Sequence, residues 1–109
     1  MTANQFRKLA LSLPETVESS HLSHPDFRVH SKIFATLGYP DDRCGMVKLT
    51  PDQQEQILRA EPATFRPAAG AWGRSGSTVV LLAVITAARL RPLLRQAWEN
   101  VAAPTKRTR

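Results

Sequence analysis

Apolar and polar positions along this chain change their period several times, and each change marks an element. Phe6, Leu9, Ala10 and Leu13 recur at helical spacing on one face. Thr2 stands where a cap belongs and Pro14 closes the segment, so a first helix is predicted up to about Leu13. Residues 16–22 predict a weak strand. His24-Pro25 stops that segment, after which Phe27 and Val29 alternate with Arg28 and His30, the period of a half-buried strand. Ser31-Lys32 makes a two-residue break, and Ile33, Ala35 and Leu37 resume the alternation. The stretch 26–37 is therefore predicted to be a β-hairpin, with Arg28 and His30 facing away from Phe27 and Val29.

Further along, Tyr39-Pro-Asp-Asp predicts a turn, with Pro presetting the backbone. Cys44 to Leu49 reads as a strand with Val47 and Leu49 inward. Thr50-Pro-Asp-Gln is a strong helix start: Thr50 caps, Pro51 fills the first position and Gln53 completes a capping box. That helix runs to about Ala60 and buries Ile57 and Leu58. Phe65 to Ala68 is a short strand, which Pro67 assigns to a sheet edge. Gly76 to Val84 is nearly all apolar, as in a central strand covered on both faces. Thr86 caps the last helix, where Leu90, Leu93, Leu94, Ala97, Trp98 and Val101 fall at helical spacing. The predicted architecture is α+β, an antiparallel sheet with helices on one face, in the order α-β-β-β(β)-α-β-β-α.

Composition adds little to this picture, and charge adds more. A chain of 109 residues, 42% apolar and 22% charged, suits one soluble domain. We place that domain over residues 1–103 and a basic, disordered tail over 104–109. No apolar run approaches a membrane span and no signal-peptide core opens the chain, so a cytoplasmic protein is expected. Residues 1–61 carry seven Lys/Arg and eight Asp/Glu, a net of −1, whereas residues 62–109 carry eight Lys/Arg and only Glu99, a net of +7. Outside the tail, those basics are Arg66, Arg74, Arg89, Arg91 and Arg95. Arginine is the side chain best suited to bidentate phosphate contacts, so a polyanion-facing surface is indicated. Arg89, Arg91 and Pro92 also crowd the start of the last helix, where free backbone N–H groups favour an anion.

Catalytic chemistry finds no comparable signal. The single Cys44 reads as a small buried apolar residue. His21-x-x-His24, with His30 beyond, suggests a metal cluster, but residues three apart on one strand point to opposite faces. No cofactor or metal site is assigned. Ser19, Ser20, His21 and His24 lack a nucleophile elbow and an acid partner, and Asp41-Asp42 reads as a turn pair that caps local backbone. Gly70, Gly73 and Gly76 lack the phosphate-loop Lys and precede a strand rather than a helix. They read as a loop turning beside Trp72, an anchor that can alternatively stack on a base. No enzyme is expected.

The hairpin from His24-Pro25 to Leu37, together with Ala71-Trp72-Gly73-Arg74-Ser75-Gly76-Ser77-Thr78 leading into an apolar strand, resembles the MmcQ/YjbR family over nearly the whole chain. Pro25, Phe27, Lys32 and Phe34 match that family's usual hairpin. The resemblance implies a frataxin-like fold and DNA binding through a double-wing module. Frataxin-like iron binding is not carried over, because the first helix has no carboxylate and only Glu15 and Glu18 follow it.

The expected function is therefore nucleic-acid binding, DNA rather than RNA, through Arg28, Lys32, Arg66, Arg74, Arg89, Arg91 and Arg95. The chain is expected to act as a monomer or weak homodimer away from membranes. The competing classes are a protein-interaction domain, using an exposed sheet face or edge, and a small-molecule binder. A deep pocket lined by His21, His24 or Trp72 would favour the last.

Overall fold

A computed structural model of the chain describes residues 1–102. The proposed tail at 104–109 lies outside the described residues. The elements are α1 (Ala3–Leu11), β1 (Thr16–His21), β2 (His24–Val29), β3 (Lys32–Leu37), β4 (Cys44–Lys48), α2 (Pro51–Ala60), β5 (Phe65–Pro67), α3 (Gly70–Arg74), β6 (Ser77–Leu81) and α4 (Ala87–Ala102). The strands form one antiparallel six-stranded sheet in the order β1-β2-β3-β4-β6-β5. Its first four strands form a meander, and β6 inserts between β4 and β5.

Local chemistry sets the helix starts. Thr2 with Gln5, and Thr50 with Gln53, form reciprocal capping boxes, and Pro51 occupies the first turn of α2. Thr86 Oγ1 accepts from Arg89 N at 3.2 Å ahead of α4. Pro92 lies inside α4, where the chain forgoes one backbone hydrogen bond. Leu90, Leu93, Leu94 and Ala97 nevertheless bury the apolar face of α4 with Phe6 and Ala10 of α1 and Ile57 of α2. The sheet supplies Phe27, Val29, Phe34, Leu37, Val47, Phe65 and Val80 to the same core. Trp98 Nε1 donates to Pro14 O at 3.0 Å and ties α4 to the end of α1.

Both turns of the β1–β2–β3 meander fall elsewhere than the pattern predicts. Leu22 and Ser23 have φ of 49° and 68°, and His30 and Ser31 have φ of 51° and 67°. Positive φ at both central residues is the two-residue hairpin turn whose twist suits the flanking strands. His24-Pro25 therefore begins β2, and His30 sits in a turn, with Nε2 3.2 Å from Glu15 Oε1, rather than on the face it was expected to share with Arg28.

The alternation in β3 also breaks. The register pairs Phe27 with Ala35 but Arg28 with Ile33, so Phe34 is an extra residue on β3, a β-bulge. Phe34 and Ala35 both reach the helix-covered core, while Ile33 and Thr36 pair with Arg28 and Asp26. The segment assigned to a glycine loop contains α3 instead. Cβ atoms at Gly73 and Gly76 would fall 1.8 Å from Ala68 O and 2.0 Å from Leu49 O. Glycine is thus required for this short helix to lie so close to the strands around it.

Candidate functional site

Alternation along each strand gives the sheet a second face. One cross-strand row on it follows from the register: Ser19 opposite Asp26, Asp26 opposite Thr36, Thr36 opposite Met46, Met46 opposite Val79, and Val79 opposite Arg66. Cys44, Met46, Val79 and Ala68 make a small apolar cluster on this side, with Tyr39 and Leu81 against it. Burial pushes the Cys44 thiol pKa up, which fits the apolar role expected of it. Trp72, carried on α3, meets His21 and Tyr39 edge-on at ring-centroid distances of 6.4 and 6.2 Å.

Asp26 is the chemical centre of the row. Its side chain is fully buried, a position that a carboxylate tolerates only with strong partners. Arg28 supplies two charge-assisted hydrogen bonds, Nε to Oδ1 at 2.7 Å and Nη2 to Oδ2 at 3.0 Å. His21 Nδ1 lies 2.8 Å from Oδ2. The Arg28 hydrogen bonds hold the Asp26 carboxyl below its ordinary pKa, burial opposes them, and His21 adds to the lowering. In turn, Asp26 raises the pKa of Arg28. Across the ladder, Thr36 Oγ1 is buried and finds no hydrogen-bond partner among the described residues.

A groove opens beside this cluster. The β3–β4 ladder runs only over Ala35–Leu37 and Gly45–Val47, so the first half of β3 has no partner on β4. The gap forms a cavity of about 450 Å³, within the range of ligand-sized clefts. Ile33, Thr36 and Met46 contribute to its lining, together with His21, Arg28, Lys32, Lys48 and Trp72. Among the described residues no carboxylate lines it, and Arg28, Lys32 and Lys48 make it positive.

The expected basic residues divide between two sides. Arg28 faces away from Phe27 and Val29, as the alternation predicts, but Asp26 occupies two of its nitrogens. Lys32 opens β3, is exposed and lines the groove. Arg66 projects from β5 onto the face of Met46 and Val79, and Arg74 ends α3, exposed. Arg89, Arg91 and Arg95 lie on α4, whose apolar face packs into the opposite layer. The seven therefore do not form one patch. Of the two arginines at the α4 start, Arg89 is not free, because its Nε donates to Glu61 Oε2 at 2.6 Å.

Sequence reasoning missed Asp26, Thr36 and Lys48. Asp26 and Thr36 are polar residues on buried strand positions, and the alternation of Asp26 with Phe27 and Arg28 was the available signal. The argument that separated His21 from His24 also fails: a two-residue turn lies between them, they pair directly across the ladder, and their rings stand 6.3 Å apart. Among the described residues, no three His, Cys, Asp or Glu side chains gather as metal ligands. Asp41 acts as the turn pair was expected to act. Its Oδ1 accepts from Arg43 N at 2.8 Å, and the Arg43 hydrogen bonds lower its pKa to about 2.

This arrangement defines a class, an α+β protein whose sheet carries three helices on one face and a short helix beside a cationic groove on the other. The family model YjbR matches residues 11–100, and the chain belongs to that family. Among solved structures, it is similar to Deinococcus radiodurans protein DR2400, whose family-model domain is DUF419. The two are 22% identical with a TM-score of 0.79, over 94% of this chain and 79% of that one. At that identity the likeness shows the fold. No curated protein matches the chain. No helix among the described residues is long and apolar enough to cross a membrane.

Proposed function

We propose that the chain binds nucleic acid through the α3-bearing face of its sheet, with DNA as the polymer the family resemblance implies. The observation that carries this is the meeting of free cations and an aromatic ring on one side. Lys32 and Lys48 line the groove with no ion-pair partner among the described residues, Arg66 stands on the same face, and Trp72 is 50% exposed between helix and strands. Cations that track phosphates, beside a ring that stacks on bases, are the two parts of a nucleic-acid surface. The two hairpins, β1–β2 and β2–β3, supply the wings, and Lys32 follows the second turn directly.

A mobility-shift titration at two salt concentrations tests this reading. Three phosphate contacts, one each for Lys32, Lys48 and Arg66, give a log–log salt slope of about −2 to −3, or roughly a twenty- to fortyfold loss between 50 and 200 mM. Lys32→Glu with Lys48→Glu is expected to abolish the shift, whereas Arg91→Ala with Arg95→Ala, on the other layer, leaves it within about twofold by the same counting. Removing residues 104–109 is expected to preserve the sheet-dependent binding. No shift even in dilute buffer, or binding that vanishes with 104–109 alone, overturns the proposal.

A further inference from the structure

We infer that the groove between α3 and the first half of β3 holds one unstacked nucleotide, its base against Trp72 and its phosphate on Lys32 and Lys48, so that the protein prefers single strands to duplex. This rests on the nucleic-acid reading and sharpens it.

The walls of the groove fit the parts of such a ligand. A surface that only tracks a duplex backbone needs charge at its rim and no depth. This groove has both charge and depth, and Trp72 lines it. The indole meets both His21 and Tyr39 edge-on while the residue remains half exposed. A ring held that way can stack on a base only when the base has left its own stack.

Charge complementarity selects an anion. Arg28, Lys32 and Lys48 line the groove, and the nearest acid, Asp26, sits behind Arg28 with no exposed side-chain surface. Because Arg28 spends Nε and Nη2 on Asp26, its Nη1 keeps its donors without a partner among the described residues. The Asp26 pair thus holds the guanidinium in place and leaves one edge for a ligand oxygen.

The third observation is independent of charge. Thr36 is one of the residues lining the groove, it is 2% exposed, and its Oγ1 has no hydrogen-bond partner among the described residues. A buried hydroxyl left unpaired is costly and marks a missing partner. A base edge, with donors and acceptors in its plane, supplies one. A purely apolar ring does not.

The test uses the full chain and follows tryptophan fluorescence, with Trp72→Leu identifying the Trp72 signal. Single-stranded oligonucleotides, a duplex of equal length, 5′-mononucleotides and inorganic phosphate are titrated in parallel. Single strands are expected to bind about tenfold more tightly than duplex, and Trp72→Leu to remove that advantage. Mononucleotides quench weakly, and phosphate alone does not. Thr36→Val is expected to weaken single-strand binding about fivefold while its Tm stays level or rises, since the change removes an unpaired hydroxyl without altering shape. A merely structural Thr36 would not separate those two readouts. Duplex bound as tightly as single strands, with Trp72→Leu and Thr36→Val indifferent, overturns the inference and leaves the proposed function standing. Failure of both polymers to bind overturns both.

Discussion

Towards α1, α2 and α4 the sheet presents Phe27, Val29, Phe34, Leu37, Val47 and Val80, all buried in one apolar core. Towards α3 the same strands present Asp26, Arg28, Thr36, Met46, Lys48 and Val79. A period of two gives each strand a vote on both sides. On the first side, shape alone must be satisfied, and it is. On the second, an ion cluster, and a hydroxyl and two lysines without partners among the described residues, stand around the groove. Stability is concentrated on one side, and unfinished chemistry on the other.

The sharpest break of this contrast is a truncation on the apolar side. Phe27→Ala is expected to cost about 3–5 kcal/mol in denaturant unfolding, a large share of the 5–15 kcal/mol that typical domains possess. Asp26→Asn comes next. Because Arg28 and His21 are about a third exposed, solvent discounts the full cost of breaking a buried pair, leaving about 1–2 kcal/mol. Its pH dependence has a definite sign. The Asp26 carboxyl is held below its ordinary value, so its contribution is present above about pH 4 and is lost as pH falls through the lowered folded value. Unfolding curves at pH 7 and pH 3 should converge more in Asp26→Asn than in the parent.

The next two changes should stabilise. Thr36→Val is expected to gain about 1 kcal/mol by removing the unpaired hydroxyl, which would make the α3 side a region where stability has been given up. Ser23→Gly should gain about 0.5–1 kcal/mol by relieving a positive φ in the β1–β2 turn. Thermal melts check both, and a loss at either position contradicts the assignment of strain.

Much of the apolar side was legible in advance. Thr2, Thr50 and Thr86 carry recognisable caps, α4 shows its stripe in Leu90, Leu93, Leu94 and Ala97, and Pro67 marks β5 as an edge. The site side was not. Its turns use Leu22-Ser23 and His30-Ser31 instead of the Asn-Gly type that signals such hairpins. Its central strand changes phase at Phe34, which no alternation rule anticipates. The groove depends on where the β3–β4 ladder stops and on α3 lying beside the sheet, both tertiary outcomes, the second resting on Gly73 and Gly76 packing against backbone. Charge counted along the chain placed five arginines together, whereas folding sends Arg89, Arg91 and Arg95 to the layer away from Arg66.

The Phe34 bulge also bears on how this strand tolerates a change of length. Lys32 and Ile33 pair with Val29 and Arg28, and Ala35 and Thr36 with Phe27 and Asp26, so both flanks already agree about which way they face. Excising Phe34 would join them into a regular ladder without turning any neighbour over. The loss would be one phenyl ring, from the core and from the lining of the groove, with Arg28, Ile33 and Thr36 still on the face they occupy now. Ordinarily a one-residue deletion within a strand reverses everything beyond it, whereas a chain shorter by Phe34 keeps the remaining side chains of β3 on their present faces.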